Sequence, residues 1–481
     1  MTPSAPAPAP VASAAPPAAP APPPRAPLPP KLGDWIDAYA SSYGAAWGES
    51  DAFSGYLLVA RDGVPIFSKG YGHTRRPGGP LPEATTRFRL ASITKQFTGV
   101  AILQLVDKGL VREDDPIGKY VPGLAFGDKV TLHHLISHTS GIAEYLREDA
   151  LATDRPHPHE EVVAGFANKP LAFEPGSRFE YSNSNYFLLG MVLEKVSGQS
   201  YDAYVRDHVL APAGMTQSRS YDASDAPDVA LGYQTDGDAL VAAKPMDVSL
   251  SFAAGALSST ANDMVKWDRA LAGDRLLSPA ARERRVKPVK AGYAYGVATD
   301  TLEGRRIERH GGEVNGFLSD FVRVPEEGLA IVGFSNQENV SLEAIVSAAL
   351  QMAITGKQVL RAPETPIVPM EAAASARFAG DYTADPASVK QYAGKVPDEA
   401  LAPFLAIGFL ADGSRLTLKN GLGTLPIFQD AKGDLFTKRF GITVKPEGGA
   451  KGPLEHLVLA QDGEIPLRYT RTKNKAGSKK K

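Results

Sequence analysis

The sequence predicts an α/β (α+β) protein: an antiparallel sheet flanked by helices, a helical subdomain inserted into its connectivity, and a small all-β barrel at the C-terminus. Three observations predict it. A strand–turn–strand pattern near the N-terminus and a run of strand signals after residue 293 are separated by a long, mostly helical stretch. The links between the late strands are short, as in an antiparallel meander. After residue 356 the texture changes to short, evenly spaced strand signals with Gly and Asp turns, the pattern of a small barrel or sandwich.

Residues 1–31 are nearly all Pro and Ala, a composition that buries no core and favours extended polyproline II. At about 3.1 Å per residue such an arm reaches roughly 90 Å, and a tether is its expected role. It lacks the apolar core of a secretory signal, so a removed signal or anchor is expected and with it a periplasmic or secreted location, the cytoplasm being the alternative. Residues 32–356 form the main domain. An amphipathic helix pattern over 32–49 leads into a hairpin, Gly55-Tyr-Leu-Leu-Val-Ala and Val64-Pro-Ile-Phe-Ser-Lys-Gly-Tyr around an Arg-Asp-Gly turn. Residues 97–106 are apolar almost all round, which predicts a helix enclosed on every side. Helical patterns continue to about residue 271, strand signals occupy 293–299, 305–310, 317–324 and 329–334, and a helix closes the domain over 342–354. A Pro-rich linker (357–369) precedes the barrel domain (370–473), with strand signals at 378–382, 415–419, 423–428, 434–438, 442–445 and 456–459. A basic tail (474–481) reads as solvated.

At 481 residues and 43% hydrophobic content the chain is long enough for two sizeable cores. The formal net charge of −2 offers no attraction to nucleic acid or a membrane surface. The absence of cysteine rules out disulfides, thiol nucleophiles and thiolate-bound zinc. No apolar run approaches the roughly 20 residues of a membrane span, so a soluble chain is expected. The sequence sets no oligomeric state.

Chemistry concentrates at Ser92 and Lys95, three residues apart at the start of the buried helix. Residues at i and i+3 share a helix face, so the amine can reach the hydroxyl. Burial disfavours an ammonium, which equips Lys95 to take the proton that makes serine nucleophilic. The helix N-terminus supplies backbone N–H groups where an oxyanion would form. Alone the spacing is common. Two further stretches matter: Tyr181-Ser-Asn183, in a loop capping a helix, and His310-Gly311-Gly312-Glu313 between strand signals. Singly, Tyr181 reads as a packing residue, Asn183 as a helix cap and His310 as structural. His134 and His138 have metal-ligand spacing on a helix, but no partnering cluster accompanies them, and neither metal nor cofactor is expected.

Ser-x-x-Lys, then Tyr-x-Asn, then His-Gly-Gly, in this order, resembles the serine beta-lactamase and penicillin-binding protein superfamily. The branch it is most similar to contains class C beta-lactamases, D-alanyl-D-alanine carboxypeptidases, D-aminopeptidases and esterases. The stretches Asp114-Asp-Pro-Ile-Gly-Lys-Tyr, Thr131-Leu-His-His-Leu-Ile-Ser-His138-Thr-Ser-Gly, Glu174-Pro-Gly-Ser and Ala254-Gly-Ala-Leu-Ser-Ser-Thr extend the resemblance from about residue 35 to 356. It implies a beta-lactamase/transpeptidase-like fold with a lipocalin-like C-terminal extension, and acyl transfer through a covalent intermediate on Ser92. Lys95 and Tyr181 then share the proton work, Tyr181 as phenolate or as shuttle. Asn183 holds Lys95 and binds a substrate amide, the backbone N–H groups of Ser92 and Glu313 form the oxyanion hole, and His310, Gly311 and Gly312 line the substrate strand.

The chain departs from class C beta-lactamases at the third motif, which there carries Lys-Thr-Gly. Histidine is mostly neutral at pH 7 unless an acid such as Glu313 or Glu308 raises its pKa, and weaker anion recognition argues against an efficient beta-lactamase. The expected activity is a serine hydrolase of small-molecule or peptide amides, of the D-amino-acid peptidase or carboxypeptidase kind. A carboxylesterase, a weak beta-lactamase and a penicillin-binding sensor that acylates without turnover are the alternatives.

Overall fold

The computed structural model describes residues 25–472 except 26, 49, 148–150, 152, 222–227, 237–238, 362–363, 393–400, 422, 440, 449–451 and 462–465. Helix α1 (Leu32–Ser42) is followed by the hairpin β1 (Gly55–Arg61) and β2 (Val64–Tyr71). The helical part of the chain includes α2 (Thr94–Asp107), α3 (Asn183–Ser197) and the kinked α4 (Val248–Gly255). Strands β3 (Ala298–Leu302), β4 (Arg305–Val314), β5 (Phe317–Val324) and β6 (Leu329–Ser335) then form the meander, and α5 (Leu342–Thr355) closes it. The six strands make one antiparallel sheet in the order β2-β1-β6-β5-β4-β3.

Side chains alternate faces along a strand, and here the alternation divides two cores. Tyr56, Leu58 and Ala60 of β1 pack with α2, α3 and the helical subdomain. Leu57 and Val59 face the other way, onto α1 and α5. The central strands are therefore covered on both faces, and β5 and β6 are buried throughout, polar Ser319, Asp320 and Arg323 included. Helix α2, apolar all round in sequence, is buried from Thr94 to Leu105.

A second body is a closed barrel. Its strands are β7 (Gly380–Ala384), β8 (Ala406–Asp412), β9 (Arg415–Asn420), β10 (Gly423–Asp430), β11 (Leu435–Phe436), β12 (Ile442–Glu447), β13 (His456–Gln461) and β14 (Leu467–Arg471). Neighbours pair antiparallel, β7 pairs with β14, and β10 pairs with β11 to close the ring. Tyr382, Phe409, Leu416, Leu418, Val444, Leu457 and Tyr469 are buried in its core. It is a filled barrel, whereas the lipocalin likeness suggests a container.

Several expectations are corrected. The helix read over 32–49 ends at Ser42 and gives way to a 3₁₀ turn at Ala45–Trp47. Residues 293–297 are not a strand: Gly296 has φ +74°, and a Cβ there would stand 2.4 Å from the Lys95 carbonyl oxygen. This segment turns to pack on α2. Of the Pro/Ala-rich arm, Arg25 donates to Asp62 at 3.1 Å and to the Glu326 carbonyl at 2.8 Å, and Leu28 packs on the α1–α5 core, so this end is docked. Residues 1–24 and the basic tail lie outside the described residues. The linker carries a short strand, Ile367–Val368, paired with β10. Among the described residues no helix is long and apolar enough to cross a membrane.

Candidate active site

The candidate residues meet where the start of α2, the loop before α3, the end of α4 and β4 converge. Ser92 lies in a 3₁₀ turn, Ala91–Ile93, immediately before α2. Ala91 has φ +46°, a conformation unfavourable for a residue with a Cβ and one that clusters at functional sites. The Ser319 hydroxyl secures the approach to this turn by donating to the Leu90 carbonyl at 2.7 Å.

Lys95 is fully buried one turn on. Its Nζ lies 3.0 Å from Ser92 Oγ, 2.8 Å from Asn183 Oδ1 and 2.8 Å from the Ala254 carbonyl oxygen. Burial pulls its pKa down to about 7, partly opposed by the Glu144 carboxylate. A neutral amine has two N–H bonds and one lone pair. With Asn183 and Ala254 able only to accept, the lone pair of neutral Lys95 faces the Ser92 hydroxyl. Asn183 is itself held, its backbone N–H and Nδ2 donating to Glu144 at 2.6 and 3.0 Å.

The Tyr181 hydroxyl donates to Ser92 Oγ at 2.8 Å. Burial holds this phenol far above its ordinary range, against the lowering effect of its bond to Ser92, so the ring acts as a neutral donor and a resting phenolate is disfavoured. Its ring packs 4.4 Å from that of His138. His138 Nδ1 accepts from the Ser182 N–H at 3.3 Å and Asn185 Nδ2 at 3.0 Å. Burial first, and then Lys95, keep this imidazole neutral. His134 instead caps its own short helix, Leu132–Ile136, its Nδ1 accepting from the Thr131 N–H. The two histidines thus serve different structures and do not converge. Among the described residues no group of three or more potential metal ligands converges either.

His310 is held in one neutral tautomer. Its Nδ1 donates to the Gly311 carbonyl at 2.6 Å and its Nε2 accepts from the Tyr293 hydroxyl at 3.0 Å. Burial, reinforced by Lys95, lowers its pKa to about 4. The acids proposed to raise it are engaged elsewhere. Glu308 lies between Arg285 and Arg323, and Glu313 pairs with Arg439. His310 is neutral at pH 7 and presents no cation to a substrate carboxylate.

Strand β3 pairs with β4 only from Arg305 to Arg309, so the β4 edge opposite β5 has, from His310 to Val314, no neighbouring strand among the described residues. The two glycines of the motif differ in duty. A Cβ on Gly312 would meet the Leu90 carbonyl oxygen at 2.3 Å, Ser319 Oγ at 2.4 Å and the Ser92 nitrogen at 3.0 Å, whereas one on Gly311 would meet only the Ser319 carbonyl oxygen at 3.7 Å. Gly312 lets β4 press against the Ser92 turn. The cleft above it measures about 1270 Å³ and runs from Ser92, Tyr181 and Asn183 along the free edge to α5 and the barrel.

The structure thus brings Ser92, Lys95, Tyr181 and Asn183 into direct contact, with His310, Gly311, Gly312 and Glu313 along one wall. The Ala254 carbonyl, Glu144, His138 and Tyr293 were not singled out as site residues from sequence. Ala254 and His138 fall in stretches that carry the resemblance, whereas Glu144 and Tyr293 had no signal.

An antiparallel sheet between terminal helices and an inserted helical region defines the beta-lactamase/transpeptidase-like class of folds. A family model described as Beta-lactamase matches residues 37–352, more than half of the chain. Penicillin-binding protein 4* of Bacillus subtilis (strain 168) is 27% identical over 364 residues, spanning 70% of this chain and 80% of its own length. Among solved structures, the octameric penicillin-binding protein homologue from Pyrococcus abyssi superposes with a TM-score of 0.60 at 23% identity, covering 92% of this chain and 100% of its own. A D-amino acid amidase from Ochrobactrum anthropi SV3 superposes with a TM-score of 0.59 at 23% identity, covering 68% and 99%. The chain belongs to the Beta-lactamase family of hydrolases.

Proposed function

We propose that the protein is a serine hydrolase that cleaves amide or ester bonds through an acyl-enzyme on Ser92. The observation that carries this reading is the triple commitment of Lys95: two pure acceptors take its N–H bonds and leave its lone pair for Ser92. Lys95 takes the Ser92 proton as Oγ attacks the carbonyl carbon. The backbone N–H groups of Ser92 and Glu313 receive the oxyanion. As the tetrahedral species collapses, Tyr181 gives its proton to the departing nitrogen or oxygen and regains one from Lys95. Water then attacks the acyl-enzyme with the same groups acting in reverse.

For substrate, peptide-like amides without a charge beside the scissile bond fit best, with N-acylated D-amino-acid amides and peptides first among them. The unpaired edge from His310 to Val314 can bind an extended backbone by strand addition. The neutral His310 disfavours a carboxylate next to the scissile bond, which counts against efficient beta-lactamase and carboxypeptidase activity. The D-amino acid amidase of the same fold supports the stereochemical preference by analogy. An ester substrate is the second reading, favoured by the same lack of a fixed cation. An exported location accords with peptide substrates outside the cell, and fractionation tests it. A panel of N-acetyl-D- and N-acetyl-L-amino-acid p-nitroanilides, p-nitrophenyl esters, a D-Ala-D-Ala peptide and nitrocefin, each run with Ser92→Ala as control, tests the activity. Turnover of D-anilides above L-anilides and nitrocefin supports the proposal. Stoichiometric acylation without turnover would instead make it a sensor.

A further inference from the structure

The barrel contributes to the cleft. Its turn between β11 and β12 lies against the sheet body, and Arg439 on this turn forms a two-pronged ion pair with Glu313, Nη2–Oε2 at 2.6 Å and Nη1–Oε1 at 2.9 Å. Arg439 also donates to the Glu338 carbonyl at 3.4 Å. Beside it, Lys438 pairs with Asp51 at 2.8 Å and rests over the Phe428 ring, 4.2 Å from its centroid. Both anchors join the barrel to the hydrolase body. The Arg439 side chain is 19% exposed, whereas that of Glu313 remains 55% exposed, and Glu313 lines both hollows that open onto Ser92.

We propose that Arg439 is a specificity-determining residue: by neutralising Glu313 beside the nucleophile, the barrel makes the cleft select uncharged substrates over cationic ones. The inference rests on the acyl-enzyme reading for its chemistry but not for its geometry. A lone carboxylate at this position would attract an ammonium-bearing substrate and repel a carboxylate-bearing one. A planar guanidinium held in two-pronged contact cancels that field, and its charge is itself consumed by the pair. A barrel with a filled interior thereby acts on the reaction through one turn.

The test is kcat/KM at low ionic strength for three p-nitrophenyl esters that differ only in an uncharged, ammonium-bearing or carboxylate-bearing acyl substituent. Arg439→Ala should raise the ammonium-to-carboxylate ratio about tenfold, the scale of one unit charge several ångströms away in a half-buried cleft. Glu313→Gln should lower it, the double variant should return toward the wild-type ratio, and Arg439→Lys should retain most of it. Calorimetric binding of the corresponding amides to Ser92→Ala proteins, which lack the acylated hydroxyl, reads the same ordering without turnover. An ordering unchanged across these proteins in both measurements would overturn the inference. Full turnover by Ser92→Ala would overturn the acyl-enzyme reading alone, leaving the charge ordering to be judged from binding.

Discussion

Lys95 Nζ stands 3.0 Å from Ser92 Oγ, and its other two contacts, Asn183 Oδ1 and the Ala254 carbonyl oxygen, can only accept. In the proposed mechanism the protonation state of this amine decides whether the serine has a base. Burial brings its pKa to about 7, so the competent neutral form is in the minority below that pH and dominates above it.

The free-enzyme profile of kcat/KM should accordingly rise with pH through about 7. Tyr181, raised by burial, keeps its proton, so no alkaline limb from it is expected below about pH 10. His310, held at about 4, should add no limb between pH 5 and 9. The profile is measured with a neutral p-nitrophenyl ester, whose own ionisation does not intervene. A fall in activity through pH 7 would contradict the role of Lys95.

Lys95 and Tyr181 both contact Ser92 Oγ and should behave as one proton-transfer unit. Lys95→Ala and Tyr181→Phe are each expected to lower kcat/KM on the order of 10³-fold, and the double variant to lose little more. A double loss equal to the product of the single losses would show that they act independently.

The glycines of β4 offer a steric test. Gly312→Ala places a methyl against the backbone of Leu90 and Ser92, atoms that move only if the nucleophile turn moves. Activity should fall on the order of 10²-fold, the effect of roughly an ångström of misplacement, with a stability loss of about 1–3 kcal/mol. Gly311→Ala meets only ordinary contact and should retain most stability. Equal thermal shifts and equal kcat/KM for both variants would remove the special role of Gly312.

Much of this arrangement was legible because its signals are local. The all-apolar run of α2, the period-2 strands and the three motifs each occupy a short window, and the family resemblance tied them together. What stayed hidden depends on groups far apart in sequence. The Ala254 carbonyl reaches Lys95 across 159 positions, and Arg439 reaches Glu313 across 126. A backbone acceptor or a long-range ion pair leaves no periodicity. The charge of His310 depends on burial and on Lys95, and its ring is bonded to Tyr293, from a segment that the sequence pattern places in a strand. Barrel strands β8 and β14 escaped because the exposed Leu410 blurs the alternation of Ile407 and Phe409 in β8, and β14 offers only two inward residues, Leu467 and Tyr469.

Behind β4, Glu308 is buried between Arg285 and Arg323, with Arg323 also bonded to Asp268 at 2.7 Å. Burial would raise its carboxyl, but these two guanidinium groups, aided by that of Arg306 at 3.4 Å, reverse this and hold it at about 2. Its folded pKa is thus depressed, so its stabilisation is fully present above the ordinary value of 4.5 and is lost as pH falls toward 2. Glu308→Gln leaves two buried cations under-compensated and should cost about 3–5 kcal/mol by chemical denaturation at pH 7. A loss well below 1 kcal/mol would mean the network relaxes freely.

The central claim is that Ser92 is the nucleophile, and intact-protein and peptide mass spectrometry after treatment with a fluorophosphonate tests it most directly. The account predicts one adduct per chain, located on Ser92, and no adduct in Ser92→Ala, whose hydrolysis of every accepted substrate falls on the order of 10⁴-fold or more. An adduct on another serine, or labelling and turnover that survive in Ser92→Ala, would contradict it.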